Sequence, residues 1–377
     1  MSPRSVGPVE TEFADLFDQG SPLQLRSGAS LASVRVAYET YGTLNARHSN
    51  AVFICHALTG DAHAAGMHAG AERPGWWDNM IGPGKPIDTD VWFVVSANLL
   101  GGCRGTTGPS SINPSTGKAY GLDFPLLDIS DFVSVHRALG HHLGVERWAA
   151  VVGGSLGGMQ VLQWTLSHPE DIDNALIFAA SSRLTAQNIA FSAVGRQAIM
   201  RDPEFHGGDF ASHGTIPDKG LSVARMMAHI TYLSEEAFSE KFGRQAQFEH
   251  LSPNFDIDFA VESYLEYQGQ RFLERFDALS YLYLSRAMDY FDPFSDECWV
   301  PKIEADPVRY LIVSFDSDWR FSTEHSRRIV RYLEGAKVPV TFRNIASPWG
   351  HDSFLLEIEQ YHETVRAFLA RAAEEVR

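Results

Sequence analysis

Trp148-Ala149-Ala150-Val151-Val152-Gly153-Gly154-Ser155-Leu156-Gly157-Gly158-Met159 is the stretch on which the fold turns. Trp148 to Gly153 reads as a buried strand. Ser155 to Ser167 reads as a helix that must stop before Pro169. Between them, Gly153-Gly154-Ser155-Leu156-Gly157 satisfies G-x-S-x-G in a strand-turn-helix context. A turn this tight needs nearly side-chain-free residues two positions either side of the serine. Ser155 is then presented above a sheet, beside N–H groups at a helix start that suit a developing oxyanion. A glycine-rich turn that merely packs helix on strand is the plainer alternative. The flanking strand and helix favour a nucleophile elbow.

Working outward, Ala51 to His56, Val91 to Ser96 and Asn174 to Ala180 are short apolar runs typical of buried parallel strands. Val34 to Tyr41 alternates and reads as an antiparallel, half-exposed strand. Asp128 to Gly144 has helical spacing at Phe132, Val135, Leu139 and Leu143, with Asp128, Ser130 and Asp131 as caps. Strand and helix alternate, which predicts an α/β protein with a mainly parallel sheet and helices on both faces. The rhythm breaks near residue 183. From Arg183 to about Glu297 the pattern is helical, including Leu221 to Leu233 and Glu262 to Phe276, and reads as an inserted lid. It resumes with a strand at Arg309 to Phe315, a helix from about Ser322 to Leu333, a strand at Val338 to Ile345 and a largely helical end from Ser353. The expected layout is core 1–183, lid 184–297 and core 298–377.

The chain of 377 residues is 44% hydrophobic and 21% charged, so it has ample material for a core. Asp plus Glu number 47 against 31 Lys plus Arg, a net charge of −16. That balance argues against nucleic acid or an anionic membrane as partner. An anionic substrate must therefore meet a few placed cations. Cys55, Cys103 and Cys298 form no CxxC pair, which disfavours a disulfide scaffold and suits a reducing cytoplasm. No signal peptide and no membrane-spanning run is expected.

A serine nucleophile needs a base, and the base needs an orienting carboxylate, in the chain order Ser, acid, His. The base should follow the last strand, where Ser347-Pro348-Trp349-Gly350-His351-Asp352 supplies His351. The acid should follow Arg309–Phe315, where Asp316 and Asp318 are not separable by pattern. Leu58 or Thr59, after the strand ending near Cys55, is the expected backbone oxyanion donor, with the N–H of Leu156 as the second. His56, His63 and His68 invite a metal reading, but spacings of seven and five share no helical face and no acidic ligand motif accompanies them. No metal is expected, and Asp61 reads as part of a loop.

Several segments together resemble the homoserine O-acyltransferase family of the α/β-hydrolase fold. They are His56-Ala57-Leu58-Thr59-Gly60, Asn98-Leu99-Leu100-Gly101-Gly102-Cys103-Arg104-Gly105-Thr106-Thr107-Gly108-Pro109, Gly153 to Met159, Val223-Ala224-Arg225-Met226 and Trp349-Gly350-His351-Asp352. The resemblance spans about residues 20–370. It implies acyl transfer from a coenzyme A thioester to the homoserine hydroxyl, in methionine synthesis, by a cytoplasmic homodimer with a helical lid. It makes Ser155 the nucleophile, Asp318 the orienting acid and His351 the base. It assigns Arg225 to the substrate carboxylate and Asp352 to its ammonium. For Asp352 a helix N-cap is the plainer role, and both can hold.

Arg320 stands two residues past the triad acid. An arginine there is costly to leave unpaired. A succinyl group would offer it a terminal carboxylate, whereas acetyl offers nothing. Succinyl-transferring members of the family resemble this chain in having arginine here. The expected co-substrates are succinyl-CoA and L-homoserine, with no cofactor. Pairing of Arg320 with Asp316 or Glu324, or a side chain that points to solvent, is the competing explanation. Rival readings are acetyl transfer, serine as acceptor, a plain esterase, and a non-catalytic module.

Overall fold

The computed structural model describes residues 4–247 and 254–376. The strands are β1 (Glu12–Leu16), β2 (Leu23–Gln24), β3 (Ser30–Leu31), β4 (Val34–Tyr41), β5 (Ala51–Cys55), β6 (Phe93–Ala97), β7 (Ala150–Gly154), β8 (Asn174–Phe178), β9 (Arg309–Phe315) and β10 (Val340–Ile345). Eight of them form one sheet in the order β1-β4-β6-β5-β7-β8-β9-β10, while β2 and β3 pair separately. β1 and β4 run antiparallel, and the strands from β6 to β10 are parallel neighbours. This is the mainly parallel sheet expected from the alternation.

The core helices before the insertion are α1 (Ile129–His142) and α2 (Leu156–Ser167). The insertion carries α3 (Ala186–Met200), α4 (Phe210–His213), α5 (Asp218–Tyr232), α6 (Glu235–Lys241), α7 (Ala260–Leu273) and α8 (Ala278–Asp289), and α9 (Val300–Ala305) follows it. The chain then closes with α10 (Thr323–Gly335) and α11 (Glu359–Val376). α1 starts with a capping box, in which Asp128 accepts from Ser130 N and Asp131 accepts from Asp128 N. Successive side chains of β5 enter opposite cores. Phe53 packs with Trp148 and Trp164 on one face, and Val52 and Ile54 join Trp77, Phe178 and Tyr361 on the other.

The half-exposed reading of Val34–Tyr41 is corrected. Every residue of β4 except Arg35 and Thr40 is buried. The reason is that both faces are packed: Val34, Val36 and Tyr38 join one core and Tyr41 the other, while Glu39 sits among polar partners that the alternating pattern does not reveal. Asp352 does not cap α11. It lies in a 3-10 turn, Gly350–Leu355, ahead of that helix.

Pairing aligns Cys55 with Gly153, Gly153 with Ile177, and Phe315 with Ile345. The loops after β5, β7, β9 and β10 therefore emerge along one edge of the sheet. In open α/β sheets the carboxyl ends of the strands are where ligands bind.

Candidate active site

Ser155 has φ 57° and ψ −123°, a strained conformation for a residue with a Cβ. The glycines around it explain why the strain persists. A Cβ on Gly153 would strike the Gly157 backbone, and one on Gly157 would strike the Cys55 carbonyl. Helix and strand are thus too close for any side chain at these positions. Ser155 is buried at the start of α2, where the Leu156 N–H has no intrahelical acceptor.

His351 Nε2 lies 2.9 Å from Ser155 Oγ, and His351 Nδ1 lies 2.7 Å from Asp318 Oδ2. Asp318 Oδ1 also accepts from the Phe321 N–H at 2.8 Å, which fixes the carboxylate. Asp316 points elsewhere and accepts from the Ser347 N–H at 2.9 Å. The turns after β9 and β10 are tied together through the Ser317 hydroxyl, which donates to the Ser347 carbonyl and accepts from the Gly350 N–H. The Phe321 ring stands edge-on to the His351 ring at 5.0 Å.

The loop after β5 is a tight turn. The Gly60 N–H donates to the Ala57 carbonyl at 2.9 Å, and Leu58 and Thr59 occupy its corner. The Leu58 N–H takes part in none of the backbone hydrogen bonds of this loop. His56 is buried and serves the loop itself. Its Nδ1 meets the Ala57 carbonyl at 2.7 Å, and its Nε2 accepts from the Leu99 N–H at 3.1 Å. Burial lowers its pKa.

The lid closes over this edge. The Ser234 hydroxyl donates to the Pro348 carbonyl, and Trp319 Nε1 donates to the Leu233 carbonyl at 2.9 Å. α5 brings Arg225 to within 3.4 Å of the Thr59 hydroxyl, with its Nε buried and unpartnered. Arg225 forms no ion pair among the described residues. Asp352 lies next to His351, and its carboxyl is raised to about 6, chiefly by desolvation. The nearby cations oppose that rise.

Arg320 is buried, with 8% of its surface exposed. It lines a small cavity with Leu58, Tyr232, Tyr281 and Thr231. Neither competing partner is there: Asp316 binds Ser347, and Glu324 pairs with Arg331 at 2.6 Å. Sequence reasoning missed His229, a lid residue pushed down to about 3 by burial, Arg225, Arg275 and Lys241. It also missed Thr231, Tyr232 and Arg275. Helical periodicity marks such positions only as lid interior.

Contrary to the expectation that no acid accompanies these histidines, an acid stands beside two of them. Glu39 of β4 stands with His63 and His68, all ligand atoms lying within 4.8 Å of one another. His56 is not part of the group. The Glu39 carboxylate is nevertheless fully engaged in hydrogen bonds, although His63 Nε2 is buried without a partner. Glu39 Oε1 meets His68 Nε2 at 2.7 Å and the Thr11 hydroxyl at 2.9 Å. Oε2 meets His63 Nδ1 at 3.0 Å and the Tyr41 hydroxyl at 2.8 Å. Four donors saturate the carboxylate.

The α/β-hydrolase fold family profile matches residues 50–358, and the chain belongs to that family. Within it the chain falls among the homoserine O-acyltransferases. It is 55% identical to a homoserine O-succinyltransferase from Nocardioides sp., over 97% of this chain and 99% of that one. It is also 55% identical to a homoserine O-succinyltransferase from Magnetococcus marinus, over 97% and 95%. Among solved structures it resembles a homoserine O-acetyltransferase from Bacillus anthracis, with TM-score 0.87 and 28% identity over 96% of this chain and 97% of that one. An esterase superposes equally well, with TM-score 0.87 and 27% identity over 96% and 100%. No helix among the described residues is long and apolar enough to cross a membrane.

Proposed function

We infer that this chain transfers a succinyl group from succinyl-CoA to the hydroxyl of L-homoserine, giving O-succinyl-L-homoserine for methionine synthesis. The observation that carries this reading is Arg320: a buried cation with no ion pair among the described residues, lining a small cavity with Leu58 and Tyr232. The 55% identity to named succinyltransferases supports it.

In the first half-reaction His351 Nε2 takes the Ser155 proton and Oγ attacks the thioester carbon. The N–H groups of Leu58 and Leu156 receive the oxyanion. The C–S bond breaks, the thiolate takes the proton from His351, and a succinyl-serine ester remains. Asp318 holds the Nδ1–H tautomer and supports the imidazolium. In the second half-reaction Arg225 binds the homoserine carboxylate and Asp352 its ammonium. His351 removes the hydroxyl proton, homoserine oxygen attacks the ester, and the proton returns to Ser155. Arg320 pairs with the distal succinyl carboxylate throughout. A thioester is already activated, so the reaction calls for no resident cofactor.

The coenzyme A substrate and unpaired cysteines favour the cytoplasm. Exposed Val194, Val223 and Ile230 on the lid favour a homodimer. Purified protein is to be incubated with homoserine or serine and with succinyl- or acetyl-CoA, and the product identified by mass. O-succinylhomoserine is expected. Free succinate as sole product would instead favour the esterase reading, and no acyl adduct should form on Ser155→Ala.

A further inference from the structure

Two lid arginines converge on Thr59. Arg225 Nη1 reaches its hydroxyl at 3.4 Å, and Arg275 Nη1 donates to its carbonyl at 2.7 Å. The Phe272 ring lies 4.8 Å from the Arg225 guanidinium and 5.3 Å from that of Arg275. Arg225 has a role in the reading above. Arg275 has none. It sits between α7 and α8, half-buried, and forms no ion pair among the described residues. A guanidinium in that setting is costly unless it holds something.

What it holds is one corner of the turn that carries Leu58. The near side of that turn is fixed by the core. Gln160 Nε2 donates to the His56 carbonyl at 3.0 Å, and His56 Nδ1 meets the Ala57 carbonyl. The far side is fixed from the lid, through the Thr59 carbonyl and hydroxyl. A peptide N–H aimed at an oxyanion must hold its direction within a fraction of an ångström to be useful.

We propose that Arg275 is a positioning residue of the oxyanion loop: by clamping the Thr59 carbonyl it aims the Leu58 N–H at the reacting acyl oxygen. Closure of the lid and competence to acylate Ser155 are then one event. This rests on Leu58 being an oxyanion donor and Ser155 the nucleophile.

The acylation half-reaction separates this role from substrate binding, because homoserine is absent from it. Acyl-enzyme formation is followed by intact mass and by the burst of p-nitrophenol from p-nitrophenyl acetate, and the steady state supplies the homoserine KM. Arg275→Met should slow acylation by about 30-fold with both p-nitrophenyl acetate and succinyl-CoA, while the homoserine KM stays within about threefold. Arg275→Lys keeps a donor and should recover most of the rate. Should the methionine variant not fold, Arg275→Gln, too short to reach Thr59, is read the same way. Acylation at the wild-type rate in the donor-less variant overturns the proposal. So does a raised homoserine KM with acylation intact, which would make Arg275 a substrate contact. Failure of the underlying reading shows separately, as a wild-type protein that forms no acyl-enzyme.

Discussion

Arg320 donates to the Thr231 hydroxyl at 2.6 Å, and that hydroxyl in turn donates to the Ala228 carbonyl at 2.8 Å. The guanidinium also stands over the Tyr232 ring at 5.6 Å. These contacts orient the cation without neutralising it. A charge-assisted pair with a succinyl carboxylate contributes about 1.5–3 kcal/mol, or roughly 10- to 150-fold in kcat/KM. Arg320→Leu should lose that preference for succinyl-CoA over acetyl-CoA. The ratio of kcat/KM for the two donors checks it, and a leucine variant that keeps full succinyl selectivity would contradict the role.

Of the two aspartates that pattern alone leaves open, Asp318 is the one that meets His351, and its contacts say what Asp318→Asn should do. Oδ2 accepts from His351 Nδ1 and Oδ1 from the Phe321 N–H. An asparagine keeps the Phe321 contact and so keeps the turn. Its amide then meets Nδ1 as a donor and forces the wrong tautomer. The expected loss is about 10⁴-fold in kcat, as for the analogous change in a serine protease, with an unchanged melting temperature. Asp316→Asn should cost far less, and a comparable loss there would sink the assignment.

The elbow was legible because its constraint is local: Gly153 and Gly157 face each other across one turn, so sequence alone records the missing space. The acid was half legible. Both aspartates follow β9, and only the third dimension shows one bonded to Ser347 and the other to His351. Arg275 was invisible because its contact with Thr59 spans 216 residues. The Glu39 network failed for the same reason, since its acid lies on a strand well upstream of His63 and His68.

That network predicts a stability effect. Burial pushes the Glu39 carboxyl up, but hydrogen bonds from His63, His68 and Tyr41 outweigh it and hold the pKa below its ordinary value. Its contribution is therefore present above pH 4.5 and is lost as pH falls below that. Glu39→Gln places an amide donor against other donors, at a cost of about 3 kcal/mol in urea unfolding at neutral pH. With its carboxylate saturated, the site should show the same melting temperature with chelator as with added Zn²⁺. A rise of several degrees on adding Zn²⁺ would make it a metal site.

On the proposed reading Asp352 ties substrate binding to pH, and it does so against stability. Burial raises its carboxyl from 3.8 to about 6, and Asp318 adds to that, while His351, Arg225 and Arg320 oppose it. Below about pH 6 the group is neutral and offers nothing to an ammonium. The homoserine KM should therefore rise as pH falls through 6, approaching tenfold per pH unit. Acylation by succinyl-CoA in the absence of homoserine should not share that dependence on Asp352. The stability sign runs the other way. A raised folded pKa favours the folded state while the group is protonated, and this advantage is lost between pH 3.8 and about 6. At pH 8 the ionised carboxylate is thus a net cost of roughly 1–3 kcal/mol in the free enzyme, after allowing for its partial exposure. Asp352→Asn should melt a few degrees higher than wild type at pH 8, yet bind homoserine at least about tenfold more weakly, because the charge-assisted contact is gone. Thermal melts and homoserine titrations on the same preparation measure both. A variant that melts lower at pH 8, or one that keeps the wild-type KM, would show that this carboxylate serves the fold and not the amino acid.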